Sequence, residues 1–276
     1  MKNLLLRALT GTVYVSLVVA GILIKSDLFF LLFGTLMALS LYEFYGLIGA
    51  SKKASVNPYL NSLAGILLFF PTYFYMKGAV GADFFILYPL YLTAVFVAEL
   101  YRKKEDPLQN FAYTFLGQIY IALPFTLLNL LAFQADGTGG MQYYPMLVLA
   151  LFVFIWTNDT GAYLVGITIG KHRLFERISP KKSWEGFFGG LIFAALSSLI
   201  FYHFEPEIPY YHWIGIAVVV VIFGTWGDLV ESLMKRTLNV KDSGNALPGH
   251  GGFLDRFDSL LLAVYGMFFY VWLFVW

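Results

Sequence analysis

The densest run of chemically useful side chains in the 276 residues lies between positions 228 and 258. It holds four Lys or Arg, five carboxylates, His250 and four glycines. Lys235-Arg236 closes the part that starts at Asp228, and Lys241-Asp242 follows. Then come Gly249-His250-Gly251-Gly252 and Asp255-Arg256-Phe257-Asp258. Carboxylate oxygens suit a hard divalent cation. Lys and Arg neutralise phosphate oxygens. Glycines let a backbone approach a ligand closely, as phosphate-cradling loops do. Asp255 and Asp258 are three residues apart, so on one helix they would share a face. With Asp228 they could hold a cation such as Mg²⁺ through oxygen. Together these are the parts needed for phosphoryl or nucleotidyl transfer on a phosphate-bearing substrate.

Rival chemistries lack their residues. There is no Cys, hence no thiolate nucleophile, no disulfide and no Cys-bound metal. The four histidines (172, 203, 212 and 250) are scattered, without the spacing of a zinc site. No G-x-S-x-G run marks a serine hydrolase. With a net charge of +1, no basic face can dominate, so nucleic acid is not an expected partner.

The elements that must position these groups are membrane helices. The chain is 59% hydrophobic and 13% charged, against about 25% charged for soluble domains. Too few polar residues are present to coat a soluble globule of this size. A spanning helix needs about 20 mostly apolar residues. Nine such segments are predicted, at 9–24, 29–50, 59–76, 82–100, 111–133, 143–169, 186–204, 212–230 and 259–276. The expected fold is therefore an all-α polytopic membrane protein. Its first five spans occupy 1–142. A C-terminal catalytic region follows at 143–276, with charged loops at 170–185 and 231–258. The first span is expected to stay uncleaved, since no A-x-A site precedes Lys25. With the N-terminus in the cytoplasm, 16 of the 18 Lys and Arg fall on inner segments and only Lys25 and Lys77 outside. That asymmetry puts the C-terminus outside and the charged loops at the cytoplasmic face.

Carboxylates inside spans need a reason, because each costs about 2.5–3.5 kcal/mol at a helix centre. Asp228 lies near the inner end of the eighth span. Asp159, beside Asn158, lies deeper in the sixth, which points to a polar cavity. Glu43 sits about two turns inside the second span and is expected to pair with a neighbouring helix or reach partway to water.

The run Ser232–Asp258 resembles the signature of phosphatidate cytidylyltransferases. Its fixed positions are filled by Ser232, Lys235, Arg236, Lys241, Asp242, Gly244, Pro248, His250, Gly251, Gly252, Asp255, Arg256 and Asp258. A second stretch is also similar: Asn158-Asp159-Thr-Gly-Ala-Tyr163, Gly166, Gly170-Lys171 and Ile178-Ser-Pro-Lys-Lys-Ser-Trp-Glu-Gly186. Before residue 156 the likeness is one of hydropathy alone.

The resemblance implies transfer of CMP from CTP to phosphatidic acid, with Mg²⁺ or another divalent cation, in a bacterial inner membrane, and a homodimer as the usual assembly. It implies Asp228 and Asp255 as metal ligands, with Asp258 as a third carboxylate. Lys235, Arg236, Lys241 and Arg256 would grip the phosphates, with Asp242 among them, and His250 would either donate to the leaving pyrophosphate or structure the loop. Lys171, Lys181 and Lys182 would form a second phosphate wall, Gly251 and Gly252 a close-approach loop, and Trp184 either a stacking face for cytosine or an interfacial belt residue. Asn158 and Asp159 would complete a polar cavity. Two other readings explain parts of the pattern. An ion-coupled transporter explains the intramembrane carboxylates but not the Lys/Asp/Gly loop. A CTP-dependent lipid kinase would move the γ-phosphoryl group instead.

Overall fold

The computed structural model describes residues 2–103, 106–244 and 251–276, with side chains from Thr10 onward. His250 and Pro248 of the signature lie outside the described residues. Helix falls on every one of the nine predicted apolar segments. Among the described residues, six helices are long and apolar enough to cross a membrane. Thr10–Leu23 and Asp258–Phe274 are shorter apolar helices. The protein is thus a helical, polytopic integral membrane protein. The chain divides into two compact units, Met1–Pro145 with Val240–Arg256, and Met146–Asn239 with Phe257–Trp276.

The first unit begins with α1 (Lys2–Leu23), α2 (Ser26–Ala50) and α3 (Pro58–Met76). Asn57 caps α3, accepting from the Leu60 N–H, with Pro58 at the first helical position, where its missing donor costs nothing. A 3₁₀ turn (Ala82–Ile86) leads into α4 (Leu87–Tyr101). Then α5 (Pro107–Gly117) and α6 (Leu123–Leu131) run on through one π-helical turn, Gln118–Ala122. A short hairpin follows, β1 (Phe133–Ala135) paired antiparallel with β2 (Met141–Tyr143). The core is aromatic: Phe29, Phe33, Phe69, Tyr73 and Phe125 are fully buried.

Through that core runs a chain of buried polar groups. The Tyr45 hydroxyl donates to the Thr114 carbonyl at 2.7 Å and accepts from Gln118 Nε2 at 2.9 Å. The same Nε2 donates to the Asn61 carbonyl, while the Tyr91 hydroxyl donates to Asn61 Oδ1. The π turn places Gln118 where it reaches both α2 and α3. In an apolar solvent such groups have no other partners.

The second unit holds α7 (Met146–Ile169), a hairpin of β3 (Arg173–Phe175) and β4 (Ser179–Ser183), α8 (Trp184–Phe204), α9 (Tyr210–Thr237) and α10 (Asp258–Phe274). Small residues let the helices approach, as is usual in membranes. On α8, Gly186, Gly189 and Gly190 are buried; a Cβ on Gly190 would come within 2.7 Å of the Asn158 carbonyl on α7.

The buried chain gives a stability test. Tyr45→Phe should lower the free energy of unfolding by about 1 kcal/mol. Gln118→Ala should cost more, about 2 kcal/mol, because it leaves both the Tyr45 hydroxyl and the Asn61 carbonyl short of a donor. Thermal melts of the two variants in detergent check the order.

Candidate active site

The second unit builds an acidic cluster from α9 and α10. Gly227 on α9 lies against the start of α10; a Cβ there would sit 2.5 Å from the Asp258 carbonyl oxygen. That close crossing brings Asp228 and Asp258 together. One turn on from Asp228, Glu231 faces the same way. Each of the three offers an oxygen, and all lie within 4.8 Å of one another.

Cations and hydroxyls compensate the charge. Lys182 Nζ forms an ion pair with Asp228 Oδ2, and Ser232 Oγ donates to Asp228 Oδ1 at 3.2 Å. Lys235 Nζ lies 2.7 Å from Glu231 Oε2, one turn along α9. Glu231 is buried, with its side chain 1% exposed. Asp258 Oδ1 accepts the Ser259 N–H at 2.6 Å, at the N-terminal end of α10, where the helix dipole favours a carboxylate.

Beside Asp228 lies a cavity of about 230 Å³ lined by Asn158, Asp159, Tyr163, Lys181, Lys182 and Asp228. Asn158 is buried, and its Oδ1 has no hydrogen-bond partner among the described residues. Lys181 and Lys182 arrive on β4, whose pairing with β3 is held at its base by Glu185. That carboxylate accepts the backbone N–H groups of Lys171 and His172 and lies 2.6 Å from His172 Nδ1. Ser183 caps α8, accepting the Gly186 N–H. Lys171 is exposed, as is Trp184. The Trp184 ring stacks on Phe188 of its own helix at 6.2 Å. Arg236, on the last turn of α9, is exposed.

The first unit holds most of the remaining signature, in the segment Val240–Arg256. Asp255 is buried, and its Oδ2 accepts the N–H groups of Ser243 and Gly252, both at 2.8 Å. One carboxylate oxygen therefore ties the two ends of the loop together. Gly251 takes a positive φ of 82°, a conformation that glycine adopts freely. Lys241, Asp242 and Arg256 are exposed.

The loop is pinned by α2. Glu43 Oε2 accepts the Leu254 N–H at 2.9 Å and the Ser243 hydroxyl at 3.2 Å. A Cβ on Gly244 would come within 2.7 Å of Glu43 Oε1, and one on Gly252 would collide with the Ser243 hydroxyl and the same carboxylate. These two glycines permit close approach to Glu43.

The part played by Glu231 escaped the sequence reading, and Glu43, expected to meet a neighbouring helix or water, meets the 240–256 segment instead. Glu231 was legible in principle, standing three places after Asp228. Glu43 had only its depth in a span as a signal. One expectation of local geometry changes as well. Asp255 and Asp258 do not share a helix face: Leu254–Arg256 form a 3₁₀ turn, and α10 starts only at Asp258, after Phe257 at φ −118° and ψ 9°.

A carboxylate cluster flanked by lysines, on helices able to cross a membrane, has the parts of an integral membrane enzyme that acts on phosphates. The chain belongs to the cytidylyltransferase family, whose model matches residues 5–274; it is a nucleotidyltransferase. It is 33% identical to a phosphatidate cytidylyltransferase of Staphylococcus epidermidis over 267 residues, covering 94% of this chain and 95% of that one. It is 31% identical to a phosphatidate cytidylyltransferase of Staphylococcus aureus strain COL over 272 residues, 94% and 96% of the two chains. A Bacillus subtilis protein of the same name is 46% identical over 134 residues, about half of each chain (48% and 50%). The likeness thus extends through the N-terminal helices, where motif reading found only hydropathy.

Glu43→Ala removes an ionised acceptor from a backbone N–H and a hydroxyl, bonds worth about 1.5–3 kcal/mol each when charge-assisted. The expected outcome is faster proteolytic cleavage within residues 240–256, with Glu43→Gln falling between the variant and the parent protein. Mass spectrometry of limited digests in detergent checks it.

Proposed function

We propose that this protein transfers CMP from CTP to phosphatidic acid, giving CDP-diacylglycerol and pyrophosphate. The observation that carries the reading is the clustering of Asp228, Glu231 and Asp258 beside Lys182 and Lys235, in a chain of the cytidylyltransferase family. The curated relatives are named for that reaction.

A phosphate oxygen of phosphatidic acid attacks the α-phosphorus of CTP. A new P–O bond forms as the bond to the β-phosphate bridging oxygen breaks, and pyrophosphate leaves with that electron pair. The nucleophile is already an anion, so no strong general base is required. Positioning and charge neutralisation do most of the work.

The donor set fits a hard divalent cation: three carboxylates, no thiolate or imidazole, one of the three buried and matched to a lysine. Asp228, Asp258 and Glu231 would hold Mg²⁺ or a similar ion, which offsets negative charge on the phosphates when bound. Asp255 belongs to the first unit, where its Oδ2 is committed to the loop. Its proposed first role is to organise the glycines Gly251 and Gly252.

Lys181, Lys182, Lys235 and Arg236 in the second unit bind phosphate oxygens, as do Lys241 and Arg256 in the first. Lys171 adds positive charge at the edge of the β-hairpin. Asp242 orients neighbouring cations, and His250 donates to the leaving pyrophosphate. Trp184 offers its free face to cytosine. Asn158 and Asp159 give the cavity a polar wall for a lipid head group whose chains stay in the bilayer. The chain crosses the membrane nine times with its N-terminus inside, so this chemistry faces the cytoplasm, and the assembly is a homodimer.

The test uses purified protein in detergent with phosphatidic acid, Mg²⁺ and CTP labelled at the α-phosphorus. Label should enter the lipid and should not do so with EDTA. Asp228→Asn and Asp258→Asn should each lower turnover by about 100-fold or more, and Asp255→Asn should in addition loosen the loop. Transfer of γ-label instead of α-label would sink the reading in favour of a lipid kinase.

A further inference from the structure

The hairpin between α7 and α8 has two faces, and the proposed reaction uses only one. Residues 171–183 hold five Lys or Arg and one carboxylate, Glu176. Side chains alternate along β3, as in any strand. Leu174 lines the cavity beside Asp228. Arg173 and Phe175, on either side of it, are exposed and do not line that cavity. Ile178 is buried, and its N–H donates to the Phe175 carbonyl at 3.3 Å. The turn so formed leaves Glu176 and Arg177 exposed at the tip. Lys182 is matched by Asp228, and His172 by Glu185. Arg173 and Arg177 have no ion-pair partner among the described residues. The outer face thus presents two unmatched cations beside an aromatic ring that is 45% exposed.

The flanking helices fix the depth of this face. α7 has 24 residues and α8 has 21, about 36 and 32 Å of helix, against about 30 Å of hydrocarbon in a bilayer. Ile169 and Trp184 therefore fall near the edge of the apolar layer. Arg173 is paired with Ser183, the residue that caps α8, so it stands level with the helix end. Arg177 is four residues further on, at most about 14 Å away. The polar layer of a leaflet is about 5–8 Å deep, and its charge is felt for about 8 Å beyond at physiological salt. Both arginines lie within that reach.

We infer that the outer face of the hairpin, with Arg173, Phe175 and Arg177, docks on anionic lipid head groups of the leaflet that α7 and α8 enter. Each Lys or Arg close to an anionic leaflet favours contact about fivefold. A ring beside cations suits the boundary between head groups and acyl chains. A nucleotide in the cavity would meet the opposite face, where Leu174 and Lys182 stand. A free phosphate has no use for an exposed ring. Because the two faces belong to one short hairpin, lipid contact on the outer face would hold the cavity wall at the membrane surface.

The readout is lipid contact, so the test does not depend on the proposed reaction. The chain has no Cys, so Glu176→Cys gives one attachment point for a fluorophore, at the exposed tip. The full chain in phosphatidylcholine nanodiscs would be titrated with phosphatidylglycerol carrying a spin label near its head group, and in parallel with phosphatidylcholine labelled in the same way. In about 0.1 M salt, half-quenching should come at a mole fraction at least about tenfold lower for the anionic lipid. In about 1 M salt, where charge is screened within about 3 Å, the preference should vanish. Arg173→Gln with Arg177→Gln should abolish it, and Arg173→Lys with Arg177→Lys should keep it. The salt series on the unaltered arginines decides the matter if the Gln pair does not fold. Equal quenching by the two lipids at low salt, or a preference that survives in the folded Gln pair, would overturn the surface. Relief of quenching by millimolar inorganic phosphate would replace it with a small-anion site, and relief by CTP would assign these cations to the nucleotide.

Discussion

Three carboxylates whose oxygens all approach within 4.8 Å repel one another strongly in surroundings of low dielectric. Such a cluster persists only where the fold holds it and opposite charge offsets it. The fold contributes the α9–α10 crossing at Gly227, where any larger residue would push Asp258 away from Asp228. The charge comes from Lys182 on β4 and Lys235 on α9. Much of the second unit follows from meeting these two demands. The hairpin must deliver Lys182 to Asp228, and Glu185 and Ser183 fix that hairpin to the start of α8.

The α7–α8 contact serves the same end by different means. Small residues on α8 let its backbone approach α7 closely at Asn158. The polar pair Asn158-Asp159, which would be costly facing lipid, thereby lines a cavity together with Lys181 and Lys182. Here the helix–helix packing that stabilises a membrane protein and the shape of its polar cavity are one feature.

Much of this was legible in the residues. Apolar runs near 20 residues located the helices, since each must satisfy its own backbone in lipid. Asp228, Asn158 and Asp159 stood out because charge or polarity inside such runs is expensive, and Asp258 because it closes the charged run that begins at Asp228. Glu231 was harder to see, because a carboxylate at the polar end of a helix has an ordinary explanation in water. Glu43 was harder still: its partners Ser243 and Leu254 are 200 and 211 residues away, and no local pattern encodes that distance. Asp255 was recognised as important, but its role depends on which oxygen meets which backbone N–H. Only the folded loop determines that.

The attachment of the signature loop to Glu43 changes what the N-terminal helices do. If they were only a membrane anchor, α2 would need no carboxylate within its apolar length, and a Gln or Leu at 43 would be cheaper to insert. Instead Glu43 accepts from the loop's backbone and from Ser243, while Gly244 and Gly252 have no side chains because Glu43 occupies the space. Asp255 then closes the same loop from inside. Lys241 and Arg256 are both exposed, and the described ends of the loop are held by two carboxylates that spend oxygens on backbone donors.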